Sequence, residues 1–264
     1  MSIPKTSAWN WKIYLGSNLI AEGGCWACYI PNENTMVYYP LTSSTQLDDM
    51  SWNNRTLSQS NTTNPVTFWT YQWVDCARFT WSYKHLLIEN TFTNSQLWRY
   101  MTVIAAYFCT NATSNNSLVV ANHVYRWVTW TWYKWWNLWP VYFTSWQWSV
   151  NTAHRFEVWT WWRTTAEARS VENDWTKWHI VIWTADLTWW QHKIYVDWVL
   201  KDTKQNSTTL TADTAFTIWW IRWWTDTTAW FDWWISSIIV ENRIRSADDV
   251  TNFIKCMKSK YWIS

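Results

Sequence analysis

The stretch Ile194-Tyr195-Val196-Asp197-Trp198-Val199-Leu200 carries the clearest structural signal in the chain. Apolar residues flank the pair Asp197-Trp198 on both sides, as in two short strands that are joined by a two-residue turn. Such a turn favours positive φ at both central residues, and Asp-Gly is a preferred pair there. The stretch therefore predicts a β-hairpin in which Trp198 occupies a position suited to glycine.

The same conflict between tryptophan and turn geometry recurs along the chain. The sequence has 33 Trp and 3 Gly, whereas a globular protein of this length would carry roughly 18 glycines. Trp also fills the polar loop Ser51–Asn54 and the turn Trp161–Arg163, where an indole lacks the backbone freedom of glycine. Our interpretation is that most of these residues are glycine in the native protein, since some uncultured bacteria and their viruses read the UGA codon as glycine. The alternative is a truly Trp-rich protein whose rings form a stacking surface for sugars.

With glycine read at those positions, the chain becomes a series of short alternating strands with polar turns. The strands are rich in Val, Ile, Thr, Tyr and Phe, which suit a half-buried pleated surface. The pattern is typical of a β-sandwich. The predicted strands are Lys12–Leu15, Val37–Leu41, Val66–Phe68, His85–Glu89, Tyr100–Cys109, Leu118–Tyr125, Val141–Thr144, Ala153–Val158, Ala166–Val171, Trp178–Thr184, Lys193–Val196, Val199–Asp202, Thr214–Ile218 and Ile235–Asn242.

One helix is predicted, near the C-terminus. Ser246-Ala247-Asp248-Asp249 has the form of a capping box, and apolar residues follow it at helical spacing. We expect a helix from about Ala247 to Lys258. No linker divides the chain, so we expect an N-terminal arm or attachment segment over residues 1–36 and one domain over residues 37–264.

Charge and hydropathy limit the classes of partner. The 21 basic and 19 acidic residues are mixed along the chain, without the basic stripe that nucleic-acid binding requires. No apolar run approaches the roughly 20 residues of a membrane span, so no membrane insertion is expected. The first ten residues also lack the apolar core of a signal peptide. A basic cluster near the C-terminus is predicted to be a solvated helix face: Arg243, Arg245, Lys255, Lys258 and Lys260.

The five cysteines do not suggest a metal site or a disulfide framework. Cys25 and Cys28 form a lone C-x-x-C with no second pair and no nearby His to complete a zinc site. Cys76, Cys109 and Cys256 lie apart in apolar or helical surroundings. We therefore expect small buried or free thiols.

Two pairs of stretches carry a resemblance to a known family. Val37–Leu41, followed by Asp49–Asn54, looks like an opening strand and a D-x-S-G-N loop with glycine at position 52. Lys177–Ile182, followed by Ile194–Trp198, is similar to a W-H-x-V strand and a Y-V-D-G hairpin.

A third pair completes the pattern. Phe231–Ile235, leading to Ile239–Asn242, looks like a closing F-x-G-x-I strand. In this order and spacing, the stretches resemble the laminin G-like, concanavalin A-like jelly-roll family over about Val37 to Ile254. The resemblance implies an all-β fold, a two-sheet antiparallel jelly-roll sandwich with a short C-terminal helix.

The resemblance also sorts the tryptophans and suggests a metal. Trp178 fits the family's own Trp, whereas Trp52, Trp198 and Trp233 fit its glycines. Asp49 matches an acidic loop position of the family, which makes it the candidate metal ligand and calcium the cofactor that the resemblance suggests. The family's usual acid after the closing strand is replaced by Ser236, a departure from a calcium site.

The acidic residues and histidines do not form a catalytic pattern. Glu172-Asn173-Asp174 lacks the third acid of the E-x-D-x-E arrangement, and the pairs Asp48-Asp49 and Asp248-Asp249 suit turns or a helix cap. The five histidines lack metal-ligand spacing such as H-E-x-x-H. We therefore expect no enzymatic activity.

The function expected from the resemblance is a non-catalytic glycan-binding or adhesion module on a virion or cell surface, with a glycan or a surface protein as partner. Its specificity is expected from rim loops. Two alternatives stay open: a phage tail, fibre or capsid-decoration protein that assembles with itself or into a virion, and a glycan-cleaving jelly-roll enzyme. The expected rim loops are Asp49–Asn54, Thr129–Asn137, Thr160–Thr164 and Arg222–Thr228.

Overall fold

The computed structural model describes residues 12–15, 18–22, 28–59, 62, 65–80, 86–88, 100–109, 117–121, 135–144, 150–160, 163–171, 176–186, 191–205, 216–221 and 232–261. These residues form seventeen strands and one helix. The elements are β1 (Lys12–Leu15), β2 (Asn18–Glu22), β3 (Thr35–Tyr39), β4 (Ser58–Gln59), β5 (Thr67–Tyr71), β6 (Val74–Thr80), β7 (Leu86–Ile88), β8 (Tyr100–Cys109), β9 (Ser117–Ala121), β10 (Trp135–Thr144), β11 (Val150–Thr160), β12 (Arg163–Val171), β13 (His179–Asp186), β14 (Gln191–Val196), β15 (Val199–Gln205), β16 (Phe216–Ile221), β17 (Asp232–Glu241) and α1 (Ala247–Tyr261).

Two large antiparallel sheets build the molecule, and β1 and β2 form a separate two-stranded sheet. One sheet has the order β12-β11-β10-β9-β16-β7-β4. The other has the order β15-β14-β13-β8-β17-β6-β5, and β3 pairs with β17 as its eighth strand. Apolar side chains from both sheets meet in one buried cluster, so the sheets pack face to face. The predicted all-β sandwich is confirmed.

The central strands of the eight-stranded sheet are buried on both faces. In β8, Val103 and Tyr107 belong to the cluster between the sheets, whereas Ile104 and Phe108 belong to a second cluster on the outer face. This alternation follows from the period of two along a strand. The central strands therefore read as nearly continuous apolar runs.

The predicted hairpin is present as β14 and β15. Val196 pairs with Val199, and the turn residues have φ values of 47° at Asp197 and 75° at Trp198. Positive φ at both positions is the geometry of a type I′ turn. The predicted turn is confirmed.

A second turn of the same kind was not predicted. β5 and β6 are joined by Gln72 and Trp73, whose φ values are 48° and 68°. The sequence predicted only Val66–Phe68 as a strand here, because Gln-Trp is not a turn signal in its written form.

Helix α1 covers the outer face of the eight-stranded sheet. Its capping box is confirmed, since Asp249 N donates to Ser246 Oγ (3.0 Å) and Ser246 N donates to Asp249 Oδ2 (3.3 Å). The helix packs on the second cluster, where Trp178 lies buried against Tyr261. Within the described residues, no helix has the length and apolar character needed to cross a membrane.

A disulfide joins Cys28 to Cys256, with their Cα atoms 5.5 Å apart. The prediction of unpaired thiols is wrong for these two residues, because a separation of 228 residues hides their proximity in the fold. It is confirmed for Cys76, which is buried and free. Burial raises the pKa of the Cys76 thiol to about 12, so this thiol stays protonated. Cys25 lies outside the described residues.

Residues just before β3 pack on the sandwich. The hydroxyl of Tyr29 donates to Glu241 Oε1 (2.9 Å) and hydrogen-bonds Thr35 Oγ1 (2.6 Å). Tyr29 is buried in the second cluster. The division of the chain into residues 1–36 and 37–264 stays a prediction.

Candidate binding surface

The loop that follows β3 is built around the buried carboxylate of Asp49. Oδ1 accepts hydrogen bonds from the backbone N–H groups of Tyr38 (2.9 Å) and Ser51 (2.9 Å). Oδ2 accepts from Ser51 Oγ (2.8 Å) and from the backbone N–H of Arg55 (3.0 Å). Four bonds to one carboxylate fix the loop to the first strand of the sandwich.

The same loop carries exposed side chains on this fixed backbone. Asn53 is exposed, and its Nδ2 donates to the carbonyl oxygens of Thr35 (2.9 Å) and Met36 (3.0 Å). Trp52 and Asn54 are exposed. The loop Asp49–Asn54 therefore presents an indole and two amides on a backbone held by the Asp49 carboxylate.

Positive φ in this loop falls on Asn54 (50°) and not on Trp52. The expectation that Trp52 occupies a position with the positive φ of glycine is therefore wrong. Asn tolerates the left-handed region better than most residues, which explains how the bend is made. Trp233 also fits a family glycine, but it lies in a strand and does not have positive φ.

Asp49 as a calcium ligand stays a prediction. Calcium takes six to eight oxygen ligands, and both oxygens of Asp49 already accept two hydrogen bonds each. In the described part of the chain, no three His, Cys, Asp or Glu residues are grouped to hold a metal. Ser236, which replaces the family's acid, donates its hydroxyl to the carbonyl of Asp75 (2.9 Å) and accepts from Tyr261 (3.1 Å).

A second buried carboxylate lies at the hairpin turn. Asp197 Oδ2 is 2.9 Å from His179 Nδ1, and Asp197 Oδ1 accepts from the backbone N–H of Ile180 (2.9 Å). The Asp197 N–H donates in return to the carbonyl of Ile180 (3.0 Å). Two stretches that carried the family resemblance, the W-H-x-V strand and the Y-V-D-G hairpin, thus meet through their polar residues. The spacing of these residues along the chain gave no sign of this contact.

The polar contacts continue from His179 across the interior. The His179 ring lies 4.7 Å from the ring of His154, and His154 Nδ1 is hydrogen-bonded to the hydroxyl of Tyr107. Tyr107 and His179 belong to the eight-stranded sheet, whereas His154 belongs to the seven-stranded sheet. Burial lowers the pKa of His154 well below its usual range, and the nearby His179 and lysines Lys201 and Lys177 lower it further. His154 is therefore a neutral group that links the sheets.

A third buried carboxylate belongs to Glu241, the last residue of β17 in the eight-stranded sheet. Arg245 Nε donates to Oε2 (2.6 Å) and Arg245 Nη2 donates to Oε1 (3.0 Å), which makes a bidentate pair. Arg243 Nη2 donates to Oε1 as well (3.3 Å). The prediction of a solvated helix face is wrong for Arg245, which is buried against the Tyr29 and Phe253 rings.

The acids considered for catalysis have structural roles where they are described. Asp48 is exposed and Asp49 is buried, so the two carboxylates do not face each other. Asp248 and Asp249 lie in the first turn of α1. Glu172 and its neighbours lie outside the described residues. The buried carboxylates Asp49, Asp197 and Glu241 each accept hydrogen bonds from the fold itself.

The other expected rim loops are covered only in part. Residues 135–137 begin β10, so this part of the loop expected at Thr129–Asn137 is a strand. Thr160 ends β11 and Arg163 begins β12, and the two residues between them in the loop expected at Thr160–Thr164 lie outside the described residues. Arg222–Thr228 lies outside the described residues.

Known proteins resemble this chain in structure but not in sequence. No protein-family model and no curated protein matches it. The binding domain of botulinum neurotoxin serotype D matches with a TM-score of 0.62 at 13% identity, covering 84% of this chain and 51% of the other. The binding domain of botulinum neurotoxin DC, solved with rat synaptotagmin II, matches at 0.62 and 10% identity, covering 84% and 52%.

A further match is botulinum neurotoxin type C, which depends on interaction with two ganglioside molecules for its entry into cells. Its TM-score is 0.61 at 11% identity, with 84% of this chain and 51% of the other covered. The chain thus spans about half the length of these structures. At such identity the likeness concerns the fold. The chain is a two-sheet β-sandwich of the kind found in botulinum neurotoxin binding domains.

Proposed function

We propose that this sandwich is a non-catalytic module that binds a glycan and acts in adhesion on a virion or cell surface. The observation that carries the proposal is the loop Asp49–Asn54, in which four hydrogen bonds to Asp49 hold the backbone that presents an exposed indole and two exposed amides. Sugar sites combine a few placed polar groups with ring faces, on loops that a rigid scaffold positions.

Matches among known structures support the class of ligand. Botulinum neurotoxin type C interacts with gangliosides, and the binding domain of botulinum neurotoxin DC has been solved with SialylT. The complex with rat synaptotagmin II supports a surface protein as the second class of partner. A glycan is the better candidate for the Asp49 loop, because the loop exposes one ring and the amides of Asn53 and Asn54.

A glycan array tests the proposal through one loop variant and a matched control. Asn54→Gly removes one of the two amides but keeps the positive φ of 50°, so the loop should stay folded while binding falls at least tenfold. Gln46→Gly removes an exposed amide at a φ of 45° in a neighbouring part of the chain and should leave binding unchanged. No bound glycan on the array, or equal losses in both variants, would contradict the proposal.

We propose a location outside the cell. The Cys28–Cys256 disulfide supports it, because disulfides persist in oxidising compartments and are rare in the cytosol. Peptide mapping of non-reduced protein from its source should recover the two cysteines in one linked pair; two free thiols would contradict the location. Assembly with copies of itself or into a virion stays a prediction that analytical ultracentrifugation tests.

We propose that the module has no enzymatic activity. The three buried carboxylates are held by donors of the fold, which supports a structural use of these acids. Incubation with β-glucans and alginates should release no reducing sugar. Release that depends on the purified protein would favour the glycan-cleaving alternative.

We propose that the chain is laminin G-like and that Trp73 and Trp198 stand at positions that are glycine in the native protein. Their φ values of 68° and 75° support glycine, because only glycine enters the left-handed region without steric cost. The peptide Ile194–Lys201 follows a lysine and ends at one, so trypsin releases it intact. Its mass in protein from the native source should carry glycine at position 198, and a mass that carries Trp would contradict the recoding.

A further inference from the structure

The tip of the β14–β15 hairpin exposes three consecutive apolar side chains. Trp198 is 38% exposed, Val199 42% and Leu200 47%. Since successive residues of a strand point to opposite faces, the edge strand β15 leaves apolar surface on both faces at its start. Two of these residues are aliphatic, so the apolar tip persists if position 198 is glycine.

Lysines surround this tip. Lys258 Nζ lies 3.4 Å from the centroid of the Trp198 ring, and Lys177 Nζ lies 3.8 Å from Asp197 Oδ2. Lys201 is exposed beside the tip, and Lys204 is exposed toward the other end of β15, opposite His192. The acidic residues of the β14–β15 hairpin itself are Asp197, which is buried, and Asp202, which lies 3.7 Å from Lys204. The hairpin therefore carries an excess of positive charge around an apolar tip.

We propose that the β14–β15 hairpin is a contact site for the anionic phospholipid surface of a membrane. Aliphatic side chains that lie beside lysines suit the boundary between acyl chains and charged headgroups. A hairpin at this boundary needs no membrane-crossing segment. Val199 and Leu200 lack the ring faces on which sugars stack, so the occupant differs in class from the ligand proposed for the Asp49 loop.

Vesicle flotation tests the site with the whole chain. The protein should float with vesicles of phosphatidylcholine and phosphatidylserine, and it should remain unbound with phosphatidylcholine alone. Salt should weaken the binding, because salt screens exposed charges. Binding that depends on neither the salt concentration nor the charge of the lipid would overturn the proposal. It would favour a partner protein that pairs with the edge strand β15. Capture on a sulfated polysaccharide resin without any vesicle binding would also overturn it.

Two double variants separate the contribution of the lysines to vesicle binding from that of the apolar tip. Lys201→Ala with Lys204→Ala should lower vesicle binding by about 25-fold, since each lysine near an anionic surface contributes about fivefold. Val199→Ser with Leu200→Ser should lower it by about tenfold. The matched control is Ile30→Ser with Ile244→Ser, which removes two exposed aliphatic side chains elsewhere and should leave binding unchanged.

The outcomes distinguish this site from the glycan site. Each variant should keep the thermal midpoint of the parent protein and its signal on the glycan array. Equal losses in the hairpin variants and the control, with the fold intact, would overturn the lipid site. Retained vesicle binding by a protein that binds no glycan would support the lipid site and contradict only the proposed glycan function.

Discussion

Trp198 and Trp233 both stand where the family that the sequence resembles has glycine, yet their backbone geometry and exposure differ. Trp198 occupies a turn at a φ of 75° and is partly exposed. Trp233 lies in the middle of a ladder, where it pairs with Phe79 and Cys109, and it is buried with its ring centroid 6.1 Å from that of Tyr107. Backbone geometry therefore favours glycine at the first position, whereas packing favours a large side chain at the second.

The largest expected effect is at Trp233. Trp233→Gly should lower the free energy of unfolding by about 4 kcal/mol, because it leaves a cavity between the sheets. Urea denaturation of the parent protein and the variant measures the difference. The indole Nε1 has no hydrogen-bond partner among the described residues, so some of this loss is offset. A Trp233→Gly variant as stable as the parent would mean that glycine belongs at both positions.

The second-largest expected loss of stability distinguishes the β14–β15 turn from the β5–β6 turn. Asp197→Ala should destabilise the protein by about 3 kcal/mol, because it leaves the Ile180 N–H and the His179 ring without their buried carboxylate. Gln72→Ala, at the same place in the β5–β6 turn, should change stability by less than about 0.5 kcal/mol, since Gln72 is exposed. Equal losses in chemical denaturation would mean that the turn geometry, and not the Asp197 carboxylate, holds the hairpin.

A fall in pH should lower the stability of the protein at β14, the strand that leads into the Asp197 turn. His192 is stacked on Trp183, and neither ring nitrogen of His192 has a partner among the described residues. Burial lowers the His192 pKa from its ordinary value of 6.5 to about 4. The unfolded chain therefore binds a proton more readily, so this contribution to stability is complete above pH 6.5 and is lost as the pH falls toward 4.

The loss from His192 alone should reach about 3 kcal/mol at pH 4, by the conversion of about 1.4 kcal/mol per pKa unit. His192→Phe keeps a stacked ring and removes the titration. Thermal midpoints between pH 7 and pH 4 should therefore fall less steeply in this variant than in the parent. Parallel curves for the two proteins would exclude His192 as a source of the pH dependence.

The smallest effect concerns glycine at the two turns. Trp73→Gly should stabilise the protein by about 1 kcal/mol, because it relieves positive φ at an exposed residue. Trp198→Gly should gain less, about 0.5 kcal/mol, since it also removes the contact between the ring and Lys258. Lys258→Ala, made both in the parent protein and in the Trp198→Gly variant, measures that contact as a double-mutant cycle. A loss of stability in both glycine variants would contradict the recoding at these turns.

Local patterns in the sequence predicted much of this fold. The capping box at Ser246 and the alternation of β13 and β8 depend on residues that are close along the chain, so they could be read directly. The β14–β15 turn could be predicted from the length of the gap between two apolar runs. The β5–β6 turn could not, because its two residues give no turn signal as they are written.

Contacts between distant residues account for what was missed at the candidate sites. The Asp49 loop was expected at the rim, but two of the four bonds that fix it depend on a chain reversal toward Tyr38 and Arg55. The links from Asp197 to His179 and from Tyr107 to His154 join different strands, and the second joins different sheets. No spacing along the chain encodes such pairs, and only the packing of the sheets reveals them.

The Cys28–Cys256 bond has a mechanical consequence for this domain. The two sulfurs connect positions 228 residues apart and close nearly all of the sandwich into a covalent loop. A pull applied to the segment before Cys28 and to the end of α1 would travel through the sulfur–sulfur bond and bypass the sheets. The disulfide would then carry the tension, and the strands would stay paired until that bond is reduced.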